Sequence, residues 1–155
     1  YSYSKDDGES WSEAMMLAPP IGLVGTGFPV VTAGSEGRVA FGYVGDVGNQ
    51  TWNGYMTILT DAFSDNPLFT TVQVNLPEDP IDSSNAYPQG CGYERCGGLG
   101  DFLDMAVDQY GRPWFSLANN DAGEIGIFAT ITDGPSLRGD LQPLAPMPLG
   151  GALTL

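Results

Sequence analysis

The chain has 155 residues, 42% of them hydrophobic, and sets 19 acidic residues against five basic ones with no histidine, a formal charge of -14. Such a charge repels phosphate backbones, which makes nucleic acid a poor partner, and no apolar run reaches the ~18 residues of a membrane helix, so no membrane span is expected. The 22 glycines and 12 prolines, set among short apolar runs, argue against long helices and predict an all-β fold with frequent turns.

In chain order, YSYS at 1–4 alternates aromatic and small polar residues and reads as the middle of a strand. The chain is therefore expected either to start after processing or to be preceded by further sequence. SKDDGESW follows at 4–11, the pattern S-x-D-x-G-x-[ST]-W, with Ser4, Asp6, Gly8, Ser10 and Trp11 at its fixed places. That spacing predicts a compact turn in which Asp and Ser side chains cap backbone amides, Gly takes a positive φ, and the Trp ring packs back over the turn. A strand over 12–17 follows, ended by Pro19-Pro20, and 21–27 is a linker.

GFPVVTAGSEGRVAFGY predicts a β-hairpin with strands at about 28–33 and 38–44. WNGYMTILT at 52–60 is a third strand and TTVQV at 70–74 a fourth, the latter with clean alternation. Between them, TDAFSDNPLF occupies the place of a second turn of the SKDDGESW kind without its glycine and tryptophan, a degraded copy. DFLDMAVDQYGRPWFSL at 101–117 repeats the first hairpin: a shift of 74 residues lays Phe28 on Phe102, Gly37-Arg38 on Gly111-Arg112 and Phe41 on Phe115. Residues 124–131 then take the role of Trp52–Thr60, and the Pro- and Gly-rich tail at 140–155 is an outer strand or a packing arm.

The expected organisation is the end of one unit over 1–18, a second unit over 28–75, a long loop over 76–100, a third unit over 101–139, and the tail. Removing the loop from the 74-residue shift leaves about 49 residues, close to the ~40–50 of a four-stranded propeller blade. The loop carries Cys91 and Cys96, which four residues separate. A disulfide would close that small loop and imply an oxidising, extracellular or cell-surface location. Free thiols are the alternative, and a metal site is weaker because a lone Cys pair without His cannot complete a zinc shell.

On these residues the chain resembles the sialidase-like β-propellers. SKDDGESW resembles their Asp-box, or BNR repeat, and the cysteine loop leading into LGDFLDMAVDQYGR is similar to runs in secreted archaeal and bacterial members. The resemblance implies four-stranded antiparallel blades, about two and a half to three of them in an incomplete circle, with the Asp-box between third and fourth strands and structural in role. It does not carry activity across. A sialidase clamps its substrate carboxylate with three arginines and uses a Tyr/Glu pair and an acid/base Asp, whereas Arg38 and Arg112 sit in hairpin turns and only Arg95 and Arg138 remain. The absence of His, and of any serine in a nucleophile-elbow pattern, leaves a hydrolase triad unsupported. A two-carboxylate glycosidase cannot be read from spacing.

Two functions follow as expectations: a non-catalytic extracellular binding or assembly module, or part of a glycosidase whose catalytic residues lie in upstream blades. Closed propellers use at least about four blades, so the expected partners are an upstream part of the same propeller or other chains, with carbohydrate as a further candidate. Asp101 and Asp104, and the loop Asn119, Asn120, Asp121 and Glu124, are oxygen-rich candidates for Ca²⁺ or a sugar hydroxyl. The alternative is that they end strands and cap loops. Tyr87, Tyr93 and Arg95 are candidate ligand contacts because loops carry recognition. Trp52, Tyr55 and Trp114 are expected in the core between units, with sugar stacking as the alternative.

Overall fold

The computed structural model describes residues 1–17, 22–83, 103–121 and 125–139. Among these there is no helix, and therefore none long and apolar enough to cross a membrane. Seven antiparallel strands form two sheets. The first holds β1 (Gly25–Ala33), β2 (Val39–Asp46), β3 (Trp52–Leu59) and β4 (Thr70–Gln73) in sequential order, and the second holds β5 (Asp104–Val107), β6 (Pro113–Asn119) and β7 (Ile125–Thr130). Each strand falls within a few residues of its expected place. β-branched and aromatic residues fill the strands, and glycine supplies the turns between them.

The two hairpins match position by position. Gly34 N donates to Arg38 O at 3.0 Å in the first, and Asp108 N donates to Arg112 O at 3.0 Å in the second, the same pair after the 74-residue shift. Gly37 and Gly111 both take positive φ, 73° and 82°. Each glycine carbonyl also accepts an amide from the loop that follows the third strand of its own sheet: Ala62 N for Gly37 and Leu137 N for Gly111, both at 2.9 Å. Ser35 N donates to Leu137 O at 2.8 Å, so the corner of the first sheet is tied to the loop that holds the corner of the second.

Antiparallel partners share a face, so the register sorts the first sheet into two sides. Ala40, Gly42 and Val44 of β2 lie opposite Ile58, Met56 and Gly54 of β3 and form one face; Phe41 and Tyr43, opposite Thr57 and Tyr55, form the other. In the second sheet Met105 pairs Phe115, Phe115 pairs Ala129, and Leu117 pairs Ile127 on one face, while Ala106 pairs Trp114 and Ser116 pairs Phe128 on the other. The core is the Ala40–Met56–Ile58 face packed on the Met105–Phe115–Leu117 face, closed by Ile81, Ile131 and Leu137. A Cβ on Gly42 would lie 2.8 Å from the Phe115 ring, and one on Gly54 would lie 2.6 Å from Leu117. Both glycines let the sheets approach closely.

The packing is head to tail. Under the 74-residue shift Phe115 corresponds to Phe41 and Leu117 to Tyr43, which point away from the core, whereas Gly42 corresponds to Ser116 on the outer face of the second sheet. Unlike faces of equivalent sheets meet, and the first strands β1 and β5 lie side by side.

Candidate functional site

Residues 1–17 cover part of the remaining face of the first sheet. Tyr1 N donates to Met15 O at 2.6 Å and Met15 N to Tyr1 O at 2.8 Å, while Ser12 N donates to Tyr3 O at 2.9 Å. The segment is thus an antiparallel pair across the SKDDGESW turn. Residues 12–17, expected as a regular strand, are held by these bonds but are not one of the seven strands, because only Tyr1 and Tyr3 face them in bonding register.

The turn is built on the Asp6 carboxylate. Oδ1 accepts the Ser10 amide at 2.9 Å and the Ser4 hydroxyl at 2.7 Å, and Oδ2 accepts the Ser10 hydroxyl at 2.5 Å. Ser4 Oγ accepts the Gly8 amide at 2.8 Å, and Gly8 takes φ 90°. The Ser10 hydroxyl and amide, then the Ser4 hydroxyl, hold the Asp6 carboxyl down at about 2. A carboxylate spent on three local donors is a turn organiser and has no proton to exchange near neutrality. Because the folded value is depressed, ionised Asp6 supports the turn above its ordinary value of 3.8, and that support is lost as pH falls through about 2. NMR titration is expected to show the Gly8 and Ser10 amides moving with a midpoint near 2; a midpoint at the ordinary 3.8 would show the turn unlinked to Asp6.

One expectation about this turn is corrected. The Trp11 ring does not pack back over it but is 66% exposed, because the chain runs from Ser12 along Tyr3 and Tyr1 and leaves the indole at the surface.

Residues 60–69, expected as a degraded copy of this turn, form the loop between β3 and β4. Asp61 organises it: its carbonyl accepts Ser64 N at 2.8 Å and its Oδ1 accepts Leu68 N at 3.0 Å. The two turns are neighbours. Tyr1 Oη donates to Ala62 O at 3.1 Å, Tyr3 and Phe63 meet edge to face at 5.1 Å, and the Lys5 ammonium sits 5.2–5.3 Å from both rings.

The three described arginines, Arg38, Arg112 and Arg138, donate to backbone carbonyls. Arg38 Nη1 donates to Ser136 O at 2.6 Å, and Arg112, buried, donates from Nη1 to the carbonyls of Ile131 and Thr132 at 3.1 and 3.0 Å. Arg138 Nε reaches the Asp108 carbonyl at 3.3 Å. A residue the sequence reading passed over, Asp108, organises the second corner. Its carboxylate accepts the amides of Tyr110 and Arg112 and the Trp114 indole N–H. Burial works to raise its proton affinity, but the bonds from Arg112, Trp114 and Tyr110 and the Arg112 charge together hold it below the ordinary value. The available signal was its place at the start of DQYGR, where Asp caps tight turns.

The oxygen-rich candidates are partly described. Asp104 starts β5, its Oδ1 accepting Met105 N at 2.8 Å and its amide donating to Ser116 Oγ at 3.1 Å. Asn119 ends β6, Asn120 N donates to Ile81 O at 2.7 Å, and both Asp121 oxygens accept Ser83 N at 2.9 and 3.0 Å. The Asn119–Asp121 loop thereby staples the second sheet to residues 81–83 after the first. No group of three or more His, Cys, Asp or Glu side chains able to hold a metal gathers among the described residues. Asp101, Glu124, Tyr87, Tyr93, Arg95, Cys91 and Cys96 lie outside the described residues. Trp52 is buried in the core between the sheets, as expected, whereas Tyr55 is buried beside Tyr43 on the opposite face of the first sheet and Trp114 is half-buried on the outer face of the second, because alternation along a strand sends neighbouring positions to opposite sides. No family model, curated protein or solved structure matches the chain.

Among the described residues three further hollows are lined mainly by apolar side chains, with Glu36 and Arg38 in one and Asp104 in another. Beside Tyr1, two open grooves of about 470 and 360 Å³ run along β1, the first reaching Met15, Pro29 and Tyr43 and the second Val31, Ala33 and Phe41. On the outer face of the second sheet a smaller hollow of about 130 Å³ lies between Trp114, Ser116 and Phe128. These surfaces offer aromatic and aliphatic contact area.

Proposed function

We propose that this chain is a segment of a sialidase-like β-propeller and serves as a non-catalytic, extracellular binding or assembly module. The observation that carries the reading is the stacking of unlike faces between two equivalent sheets. A repeated wedge set around an axis must present one face to the unit before it and the opposite face to the unit after it. Two Asp-organised turns side by side, one of them between a third and a fourth strand, are consistent with that arrangement. On this reading the units that complete the circle come from another part of the propeller or from other chains. An extracellular setting rests on the Cys91–Cys96 spacing.

Against the competing glycosidase reading, Asp6, Asp108 and Asp121 are each engaged by backbone amides, which commits these three carboxylates to turn and loop geometry. The deciding experiment is an assay against fluorogenic sialosides and neutral glycosides of the purified chain, both alone and within any longer protein of which it is a segment. No turnover above buffer is expected. Hydrolysis that disappears when one of the candidate carboxylates, such as Asp104, is changed to the amide would reverse the proposal.

A further inference from the structure

The joint between the two sheets has an unfilled second half at each end of the described chain. On the outer face of the second sheet, Trp114, Ser116 and Phe128 stand where Ala40, Gly42 and Met56 stand on the first. Met56 is fully buried under the neighbouring sheet, yet Phe128 is 76% exposed. The Trp114 ring is oriented by its indole bond to Asp108 at 3.1 Å, and this aromatic face carries one carboxylate, Asp104, opposite Ser116. At the other end, residues 1–17 cover the first sheet only in part: the grooves beside Tyr1 leave Pro29, Val31 and Ala33 of β1 exposed, with Val31 at 58%.

Resting on the reading of these sheets as repeated wedges, we infer that the chain self-associates head to tail, the Trp114–Phe128 face of one copy seating in the β1 grooves of a second. The occupant is a second copy because one chain carries both members of the joint. The face types are those already joined inside the chain, the protruding aromatics are on one side, and the grooves are on the other. The contact is heterologous, so each copy offers one donor face and one acceptor face, and an open assembly of any length keeps one of each unfilled. Each copy carries a charge of -14, so copies repel at low salt. Screening shortens the reach of that repulsion from about 10 Å at 0.1 M to about 3 Å at 1 M. Association therefore strengthens as salt is raised, the reverse of an ion-pair interface.

Sedimentation velocity on the 155-residue chain, across protein concentration and salt, tests this. Species larger than 16.4 kDa are expected to grow with both. Phe128→Asp and Val31→Asp each place a carboxylate in one member of the joint, and each is expected to weaken self-association at least ~30-fold. Both positions are exposed, so unchanged melting temperatures will show that the variants fold. Mixed together, the two variants retain one good donor and one good acceptor between them and are expected to restore a one-to-one heterodimer that grows no further. A chain that stays monomeric under all conditions overturns the inference and leaves the faces to some other occupant. So do variants that associate like the parent, or a mixture of folded variants that does not combine. Glycoside turnover by a self-associating chain would reverse the functional reading alone, and a monomer without turnover would reverse the inference alone.

Discussion

Replacing Phe115 by alanine is expected to destabilise the protein by about 3–5 kcal/mol, the range for a buried aromatic truncated in a packed core. Phe115 is fully buried, pairs with Met105 and Ala129 within its own sheet, and fills the space that Gly42 leaves open in the facing one. The cavity falls at the joint between two sheets, where neither can collapse without pulling its corner away from Leu137. The same contact should be visible from the other side. A methyl on Gly42 would stand 2.8 and 2.9 Å from two Phe115 ring carbons and 3.0 Å from Met105 Sδ, so Gly42→Ala is expected to cost about 1–3 kcal/mol by overpacking. Combining it with Phe115→Leu should recover part of that cost, since the two residues share one volume. Denaturant midpoints for the four proteins of the cycle measure this. Strict additivity would show that the two sheets do not meet at this point.

The second large effect separates two residues that the sequence treats as equals. Gly37 and Gly111 occupy the same place in the two corners, both with positive φ. A Cβ on Gly37 would find no atom nearer than 3.8 Å, so Gly37→Ala should cost only the left-handed backbone term, about 1–2 kcal/mol. A Cβ on Gly111 would sit 2.0 Å from Ser136 Oγ and 2.9 Å from the Arg138 amide nitrogen. Ser136 Oγ is not free to swing away at no cost, because it accepts Arg138 N at 3.0 Å and donates to Tyr110 O at 3.3 Å. Gly111→Ala is therefore expected to cost at least about 3 kcal/mol, backbone strain and steric displacement acting together. Thermal melts of the two variants compare them directly, and equal losses would show that residues 136–138 do not press on the second corner.

The strands were legible because each is a short apolar run bounded by glycine, proline or small polar residues, and because the second hairpin repeats the first at a constant shift. The SKDDGESW turn was legible for a related reason: all its bonds lie within seven residues, so its geometry is set by local chemistry alone. In the loop at 60–69, which lacks that turn's glycine and tryptophan, the Asp61 carboxylate accepts the Leu68 amide and the Asp61 carbonyl accepts the Ser64 amide, so the aspartate still organises a turn. Asp108 passed unnoticed because an aspartate before a turn is common, and only the fold brings the Trp114 indole to it. Trp11 was misjudged because a motif specifies where a residue falls along the chain and not what stands opposite it.

Composition, turn chemistry and the 74-residue repeat determined by themselves that this protein is built from antiparallel hairpins with Gly-Arg corners, because those properties depend on neighbours along the chain. Which face of one sheet meets which face of the next was decided only in three dimensions. Alternation marks two sides of every strand, but Phe41 and Phe115 are the same residue at the same place in the repeat, and one faces the core while the other faces away from it. That difference comes from the order in which equivalent sheets stack, a long-range relation that no local pattern encodes. It is also what leaves Phe128 exposed where its counterpart Met56 is sealed.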